Sequence, residues 1–288
     1  MKYIDLHVHS NISDGTLSPK EVVLLAAKSN LSAIALTDHD TVAGIEEAKK
    51  AAMELKKEGK DIRIVEGVEI SADYKGKDIH ILGLLIDTHH KGLIQSLENA
   101  IQNRDTRNEK MASNLRAAGI PITLEALSSH EPDTVITRAH FARYLFEHNY
   151  VKTMNEAFEL YLGENCPYYV AREYISPKDA ISLIKQAGGI PVLAHPLLYK
   201  YSMNELNELI LQLKEFGLVG IETIYSANSG SDESMIIELA KRYDLLMTGG
   251  SDYHGSNKPH IAIGIGKGNL KVPYTILDTL DQYKKTHL

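Results

Sequence analysis

Tryptophan is absent from this chain of 288 residues, phenylalanine occurs four times, and cysteine once, at Cys166. A lone cysteine excludes an intramolecular disulfide, a Cys-rich zinc ribbon and a thiolate-held iron–sulfur cluster, and it points to a reducing, cytoplasmic compartment. No uninterrupted apolar run approaches the roughly 18 residues that a membrane span needs. A secretory leader is not expected, because Asp5, His7 and His9 interrupt what would have to be its apolar stretch. Positive charge is not in surplus: 31 Lys and Arg face 38 Asp and Glu, for a net charge of −7. A broad electropositive surface for long duplex DNA is therefore excluded, and any contact with nucleic acid should be local. What remains is 43% hydrophobic and 24% charged residues, enough for a real core in one large α/β domain or in a core with one inserted module. Histidine is plentiful at thirteen, and its placement carries the functional argument.

Short β-like runs alternate with amphipathic stretches, the pattern of a parallel sheet built from β-α units. Extended runs are expected at Tyr3–Val8, Ser32–Leu36, Ile62–Val65 continuing into Val68–Ala72, and Asp78–Ile86. Ser18-Pro19-Lys20-Glu21 supplies a helix N-cap, a proline at the first helical position and a reciprocal glutamate. A helix from Pro19 to about Ser29 follows, and another runs from about Val42 to Glu58. From about Asp87 to Arg172 the periodicity is mostly helical, which marks an inserted subdomain at 87–172 within a barrel made of 1–86 and 173–288. Alternation resumes at a second capping sequence, Ser176-Pro177-Lys178-Asp179, with strands at Ile190–Ala194, Gly220–Ile224 and Leu245–Thr248. Seven strands suggest a closed or nearly closed barrel. The Lys/Glu-rich stretch from Glu46 to Lys60 has the spacing of a solvated helix face.

In such barrels the loops at the C-terminal strand ends build the active site. Almost every strand here ends in a metal-binding side chain. His7 and His9 stand two residues apart and so share one face of the first strand. Asp14 follows in Ser13-Asp14-Gly15, His39 lies in Thr37-Asp38-His39-Asp40, and Glu69 ends Glu66-Gly67-Val68-Glu69. His80 sits on the fourth strand, His195 ends the fifth, and Asp252 and His254 form a second i, i+2 pair after the seventh. Carboxylates and imidazoles converging in a partly desolvated cup are costly unless cations neutralise and coordinate them. Nitrogen and oxygen donors without thiolates point to Mn²⁺, Zn²⁺ or Fe²⁺, and the donor set does not choose among the three. Asp38 and Asp40 are plausible orienting residues; Glu66 should face away from Glu69; Glu222 and Tyr225 either line the pocket or pack beneath it. His89, His90, His130, His148, His260 and His287 have no motif around them.

Taken together, Asp5-Leu6-His7-Val8-His9-Ser10, Ser13-Asp14-Gly15, Thr37-Asp38-His39-Asp40, Gly67-Val68-Glu69, Ala194-His195-Pro196 and Ser251-Asp252-Tyr253-His254 resemble the PHP family, the polymerase and histidinol phosphatase domain of metal-dependent phosphoesterases. The resemblance spans nearly the whole chain in order and implies a distorted seven-stranded, amidohydrolase-like β/α barrel. It also implies three ligand sets: His7, His9, Glu69 and Asp252; Glu69, His80 and His195; Asp14, His39 and His254. Thr137-Arg138-Ala139-His140-Phe141-Ala142 resembles the insertion of the subgroup acting on nucleoside 3′,5′-bisphosphates and, as 5′-to-3′ exoribonucleases, on short RNA. By that likeness Arg138, His140 and Arg172 bind substrate phosphate, for which an Arg fork is suited.

The reaction implied is hydrolysis of a phosphate monoester assisted by paired cations, with no covalent enzyme intermediate. Arg138 would neutralise phosphoryl oxygens, and Asp252 or His254 would move protons to the leaving oxygen. Partners would be a small phosphorylated nucleotide or a short RNA 5′ end, and phosphate, but no membrane. Three other readings remain. The first is a phosphatase for a small metabolite such as histidinol phosphate. The second is a metal-binding regulatory domain without catalysis, against which the intact ligand set argues. The third is a carbon–nitrogen hydrolase of a similar barrel, which typically uses a carboxylated lysine where this chain has Glu69.

Overall fold

The computed structural model describes residues 2–128, 134–171 and 175–288. Eight strands form one sheet: β1 (Tyr3–Val8), β2 (Leu31–Leu36), β3 (Arg63–Tyr74), β4 (Lys77–Leu84), β5 (Ile190–Leu193), β6 (Gly220–Tyr225), β7 (Leu246–Gly250) and β8 (Val272–Pro273). Their order is β7-β6-β5-β4-β3-β2-β1-β8. The sheet curls until its first and seventh strands meet, where Asp252 N donates to His7 O (2.8 Å) and His9 N to Tyr253 O (3.0 Å). These bonds make the barrel nearly closed.

Two features depart from an all-parallel, seven-strand barrel. Residues 63–74 form the single strand β3, which ends in a turn at Lys75-Gly76, both with positive φ. β4 therefore returns antiparallel to β3 and is also antiparallel to β5. A turn of two residues leaves no room for the crossover that parallel pairing demands. The eighth strand is a two-residue edge, antiparallel to β1, too short to leave a periodic signal.

Helices α1 (Pro19–Lys28), α2 (Ile45–Lys57), α7 (Pro177–Gln186), α8 (Met203–Phe216), α9 (Asp232–Arg242) and α10 (Thr275–His287) pack around the sheet. The first starts as its sequence dictates: Ser18 Oγ accepts from Glu21 N (3.2 Å) while Glu21 Oε2 accepts from Ser18 N (2.8 Å). α10 brings Leu277 and Leu280 into one cluster with Ile4, Leu6, Val65, Leu82 and Val192. Each such side chain removed from water contributes roughly 2 kcal/mol.

Between β4 and β5 the chain is helical: α3 (Lys91–Ala117), α4 (Leu124–Leu127), α5 (Arg138–Glu147) and α6 (Met154–Ala157), the last continuing as a π-helical turn at Phe158–Leu162. These elements share their own apolar cluster, with Met111, Leu115, Phe141, Leu145 and Leu162 fully buried. Among the described residues, no helix is long and apolar enough to cross a membrane.

Candidate metal centre

Glu69 organises the centre. It sits within β3 and is buried, and its two oxygens face different partners. Oε2 lies 3.2 Å from His7 Nε2, 3.1 Å from His9 Nε2 and 3.3 Å from His39 Nδ1. Oε1 lies 2.8 Å from His80 Nδ1 and 3.0 Å from His195 Nε2. Asp252 Oδ1 approaches His7 and His9 from the other side, at 3.7 and 3.6 Å. Asp14 completes the arrangement, 3.1 Å from His254 Nε2 and 3.7 Å from His39 Nε2. The nine side chains thus come from six strand ends or interiors and one loop into a single cluster.

The outer ring nitrogens settle which inner nitrogens carry lone pairs. His7 Nδ1 donates to Glu222 Oε1 (3.1 Å), His9 Nδ1 to Ser13 Oγ (3.4 Å) and His254 Nδ1 to the Asp252 carbonyl (2.9 Å). Ser13 Oγ is free to accept, since its own proton goes to Asp38 Oδ1 at 2.7 Å. In the neutral rings Nε2 then bears a lone pair aimed inward, the arrangement expected of a metal-ligating histidine. His7 Nε2, His9 Nε2 and His39 Nδ1 are buried and make no hydrogen bond, though each points at the same carboxylate oxygen. Buried polar atoms are rarely left so. Donor atoms of His7, His9 and Glu69, of His39, Glu69 and His80, and of His9, Asp14, His39 and His254 lie within 4.8 Å of one another in each group. These residues fit divalent cations.

Charge balance argues the same way. Burial takes the His9 pKa down to about 3, with the neighbouring His254 charge adding to it, and burial holds His39 at about 4 against Glu69 and Asp14. Burial also opposes charge on His80, but Glu69 and Asp78 overcome it and raise the pKa to about 10. Glu69 is buried, which favours the neutral acid, yet His7, His80 and His39 hold it well below the usual carboxylate range. A proton shared among imidazoles is one way to balance that carboxylate; a divalent ion does so with the rings neutral.

Backbone geometry supports the convergence. Asp40, His195 and Asp252 hold positive φ of 55°, 28° and 56°, sparsely populated for residues with a Cβ and typical of functional sites. The β1–β2 pairing slips between Asp5 and Val8, and the β6–β7 pairing between Glu222 and Ile224, so register breaks flank both partners of the His7–Glu222 bond.

A cleft of about 470 Å³ opens onto the centre and is lined from the barrel and from the helical segment. Arg138, at the start of α5, lines it, with its guanidinium 3.7 Å from Asp78 Oδ2 and over the Tyr169 ring. His140 does not line it: its ring is buried, and Nδ1 accepts from Thr137 N at 3.0 Å, capping α5. Thr137 in turn donates to Asp14 Oδ2 (3.1 Å), so His140 reaches the centre through the cap. Arg172 and His130 lie outside the described residues. Glu66 pairs with Lys49 at 2.9 Å, away from Glu69.

Other residues were not singled out by sequence. Lys258 donates to Asp252 Oδ2 at 2.6 Å, Arg104 on α3 pairs with Asp40, and His260 lines the cleft. Glu222 does more than line a pocket, since Oε2 also accepts from His195 N at 2.8 Å. None stands in a motif; contacts spanning up to 215 residues bring them in.

Residues 5–216 match the PHP domain. The chain belongs to the PHP domain family. A 5′-3′ exoribonuclease of Haemophilus influenzae is 38% identical over 253 residues, covering 88% of this chain and 90% of that protein. A 3′,5′-nucleoside bisphosphate phosphatase of Chromobacterium violaceum is 36% identical over 255 residues, covering 88% of each. Among solved structures, an amidohydrolase from Chromobacterium violaceum with bound sulfate and no metal superposes with a TM-score of 0.87 at 34% identity, over 97% of this chain and 96% of that one. The two relatives each cover 88% of this chain, and the solved structure covers 97%.

Proposed function

We propose that this protein is a metal-dependent hydrolase of phosphoester bonds in nucleotides, acting on the 3′-phosphate of nucleoside 3′,5′-bisphosphates and on the 5′ end of short RNA. The observation that carries the reading is the convergence of nine His, Asp and Glu side chains around Glu69, at the floor of a cleft into which Arg138 projects. Similarity to a bisphosphate phosphatase and to an exoribonuclease supports the nucleotide preference.

In this reading residues 87–172 form a helical subdomain over a barrel of 1–86 and 173–288. One cation is held by His7, His9, Glu69 and Asp252, a second by Glu69, His80 and His195, and a third by Asp14, His39 and His254, with Mn²⁺ the first candidate and Zn²⁺ or Fe²⁺ the others. Bound there, divalent ions would lower the pKa of water and neutralise phosphoryl charge. The chain's own groups do the rest. Arg138 and Arg172 bind the non-reacting phosphate, His140 holds the Thr137 cap against Asp14, and Asp252 and His254 handle the proton that reaches the leaving oxygen. Arg138 and Lys258 place two basic side chains on the cleft of an otherwise acidic chain, which suits a short phosphorylated ligand better than long duplex DNA.

The test is phosphate release from the Mn²⁺-loaded protein with 3′-phosphoadenosine 5′-phosphate, histidinol phosphate and a short 5′-phosphorylated RNA side by side. Preference for the bisphosphate by at least tenfold in kcat/KM is expected. Preference for histidinol phosphate, or no turnover of any ester with metal bound, overturns the proposal.

A further inference from the structure

Lys258 reaches the centre from a turn fastened to it on both sides. After His254 the chain makes a 3₁₀ turn at Gly255–Asn257, whose Asn257 Nδ2 donates to Asp14 O (2.8 Å) and whose Ser256 N donates to Thr16 Oγ1 (2.9 Å). The lysine that follows is thus anchored to the loop carrying Asp14. Its ammonium donates to Asp252 Oδ2 at 2.6 Å, and the same oxygen accepts from Tyr225 OH at 2.7 Å. Asp252 Oδ1 is turned instead toward His7, His9 and His254. One carboxylate oxygen therefore serves the centre and the other serves Lys258. An ammonium has three donors, and Asp252 occupies one. The Lys258 side chain is 37% exposed and lines the same cleft as Arg138.

We propose that Lys258 is a catalytic residue whose ammonium, while bonded to Asp252 Oδ2, contacts a non-bridging oxygen of the phosphoryl group being transferred. The inference rests on the phosphoesterase reading and deepens it. Position decides which phosphate is meant. Lys258 is bonded at 2.6 Å to Asp252, whose other oxygen faces His7, His9 and His254, whereas Arg138 stands 3.7 Å from Asp78, which meets the centre at His80. Two of the basic side chains lining the cleft then have separate tasks, Lys258 on the reacting phosphoryl group and Arg138 on the remote one. In the reaction a water oxygen bonds to phosphorus, the ester P–O bond breaks, and a water proton passes to the leaving oxygen. Lys258 keeps all three of its protons throughout. A fixed point charge beside oxygens that gain charge in the transition state lowers the barrier without proton transfer.

The competing explanation is that Lys258 only holds Asp252 in place, as Tyr225 does. Lys258→Met, Lys258→Arg and Tyr225→Phe, each Mn²⁺-loaded, are compared with wild type by elemental analysis, steady-state turnover of a phosphate monoester, and calorimetric titration with inorganic phosphate. Expected for Lys258→Met are wild-type metal content, kcat lower by about a hundredfold, and phosphate affinity weaker by about tenfold. Lys258→Arg recovers most of both, and Tyr225→Phe leaves phosphate affinity unchanged. The proposal is overturned if Lys258→Met keeps kcat and phosphate affinity, if its losses follow loss of metal, or if Tyr225→Phe weakens phosphate equally. Absence of turnover in wild type would instead remove the phosphoesterase reading, and the phosphate titration would still decide whether Lys258 binds the anion.

Discussion

Arg104 on α3 and Asp40 in the loop after β2 form a buried ion pair that ties the helical segment to the floor of the cleft. Asp40 follows His39 directly; its N donates to Glu69 O (2.9 Å) and its Oδ1 accepts from Ser71 N (3.1 Å). Removing Arg104 takes from the buried Asp40 carboxylate the cation it is paired with. Arg104→Met is expected to cost about 3–5 kcal/mol of stability, read from denaturant unfolding. A loss below ~1 kcal/mol would show that Asp40 is compensated elsewhere.

Glu222 holds His7 through its ring and His195 through its backbone. Glu222→Ala therefore releases two ligands at once while removing no donor from the centre. Weaker Mn²⁺ binding by roughly 10–100-fold is expected, the usual effect of losing a group that orients a ligand. Equilibrium dialysis measures it, and unchanged affinity would show that packing alone fixes the two rings.

Gly250 has no room for a side chain, because a Cβ there would overlap Cβ, N and Cα of His7. The clash is with backbone, so no rotamer relieves it. Gly250→Ala should separate β7 from β1, lower the melting temperature and cut bound metal together. A variant that keeps both would mean the two strands can part without disturbing His7.

Arg138→Ala should raise KM for a nucleoside bisphosphate about tenfold, equivalent to ~1.4 kcal/mol of binding, and leave KM for a monophosphate nearly unchanged. Steady-state assays with both substrates give the ratio. An unchanged ratio would remove Arg138 from recognition of the second phosphate.

Metal should stabilise the fold as well as the reaction. Mn²⁺ at about a thousand times its Kd adds ~4 kcal/mol if it binds only the folded chain. Calorimetry before and after chelation measures the difference, and an unshifted transition would show that the cluster does not grip the ion.

Much of the centre is legible in sequence because its residues are local in kind: His7 and His9, or Asp252 and His254, are pairs at strand spacing, and polar residues ending apolar runs mark a barrel mouth. Helix starts are legible for the same reason, since Ser18 and Glu21 satisfy each other within one turn. Strand direction is harder. The antiparallel course of β4 depends on the two-residue turn at Lys75-Gly76, and period-two alternation carries no sign of direction. Lys258 and Arg104 escaped notice because isolated charged residues look like surface; only pairing with Asp252 and Asp40 gives them meaning, as the bond to His7 decides between the two readings of Glu222.

The barrel is sealed by the hydrogen bonds of His7 and His9 to Asp252 and Tyr253, so its last seam and its reactive floor are the same few residues. Residues 1–245 hold seven of the nine candidate ligands, and the last two, Asp252 and His254, reach the centre only where β7 docks beside β1. Joining such distant segments is a slow kind of folding event, and it ties the appearance of catalytic capacity to the moment the architecture becomes whole.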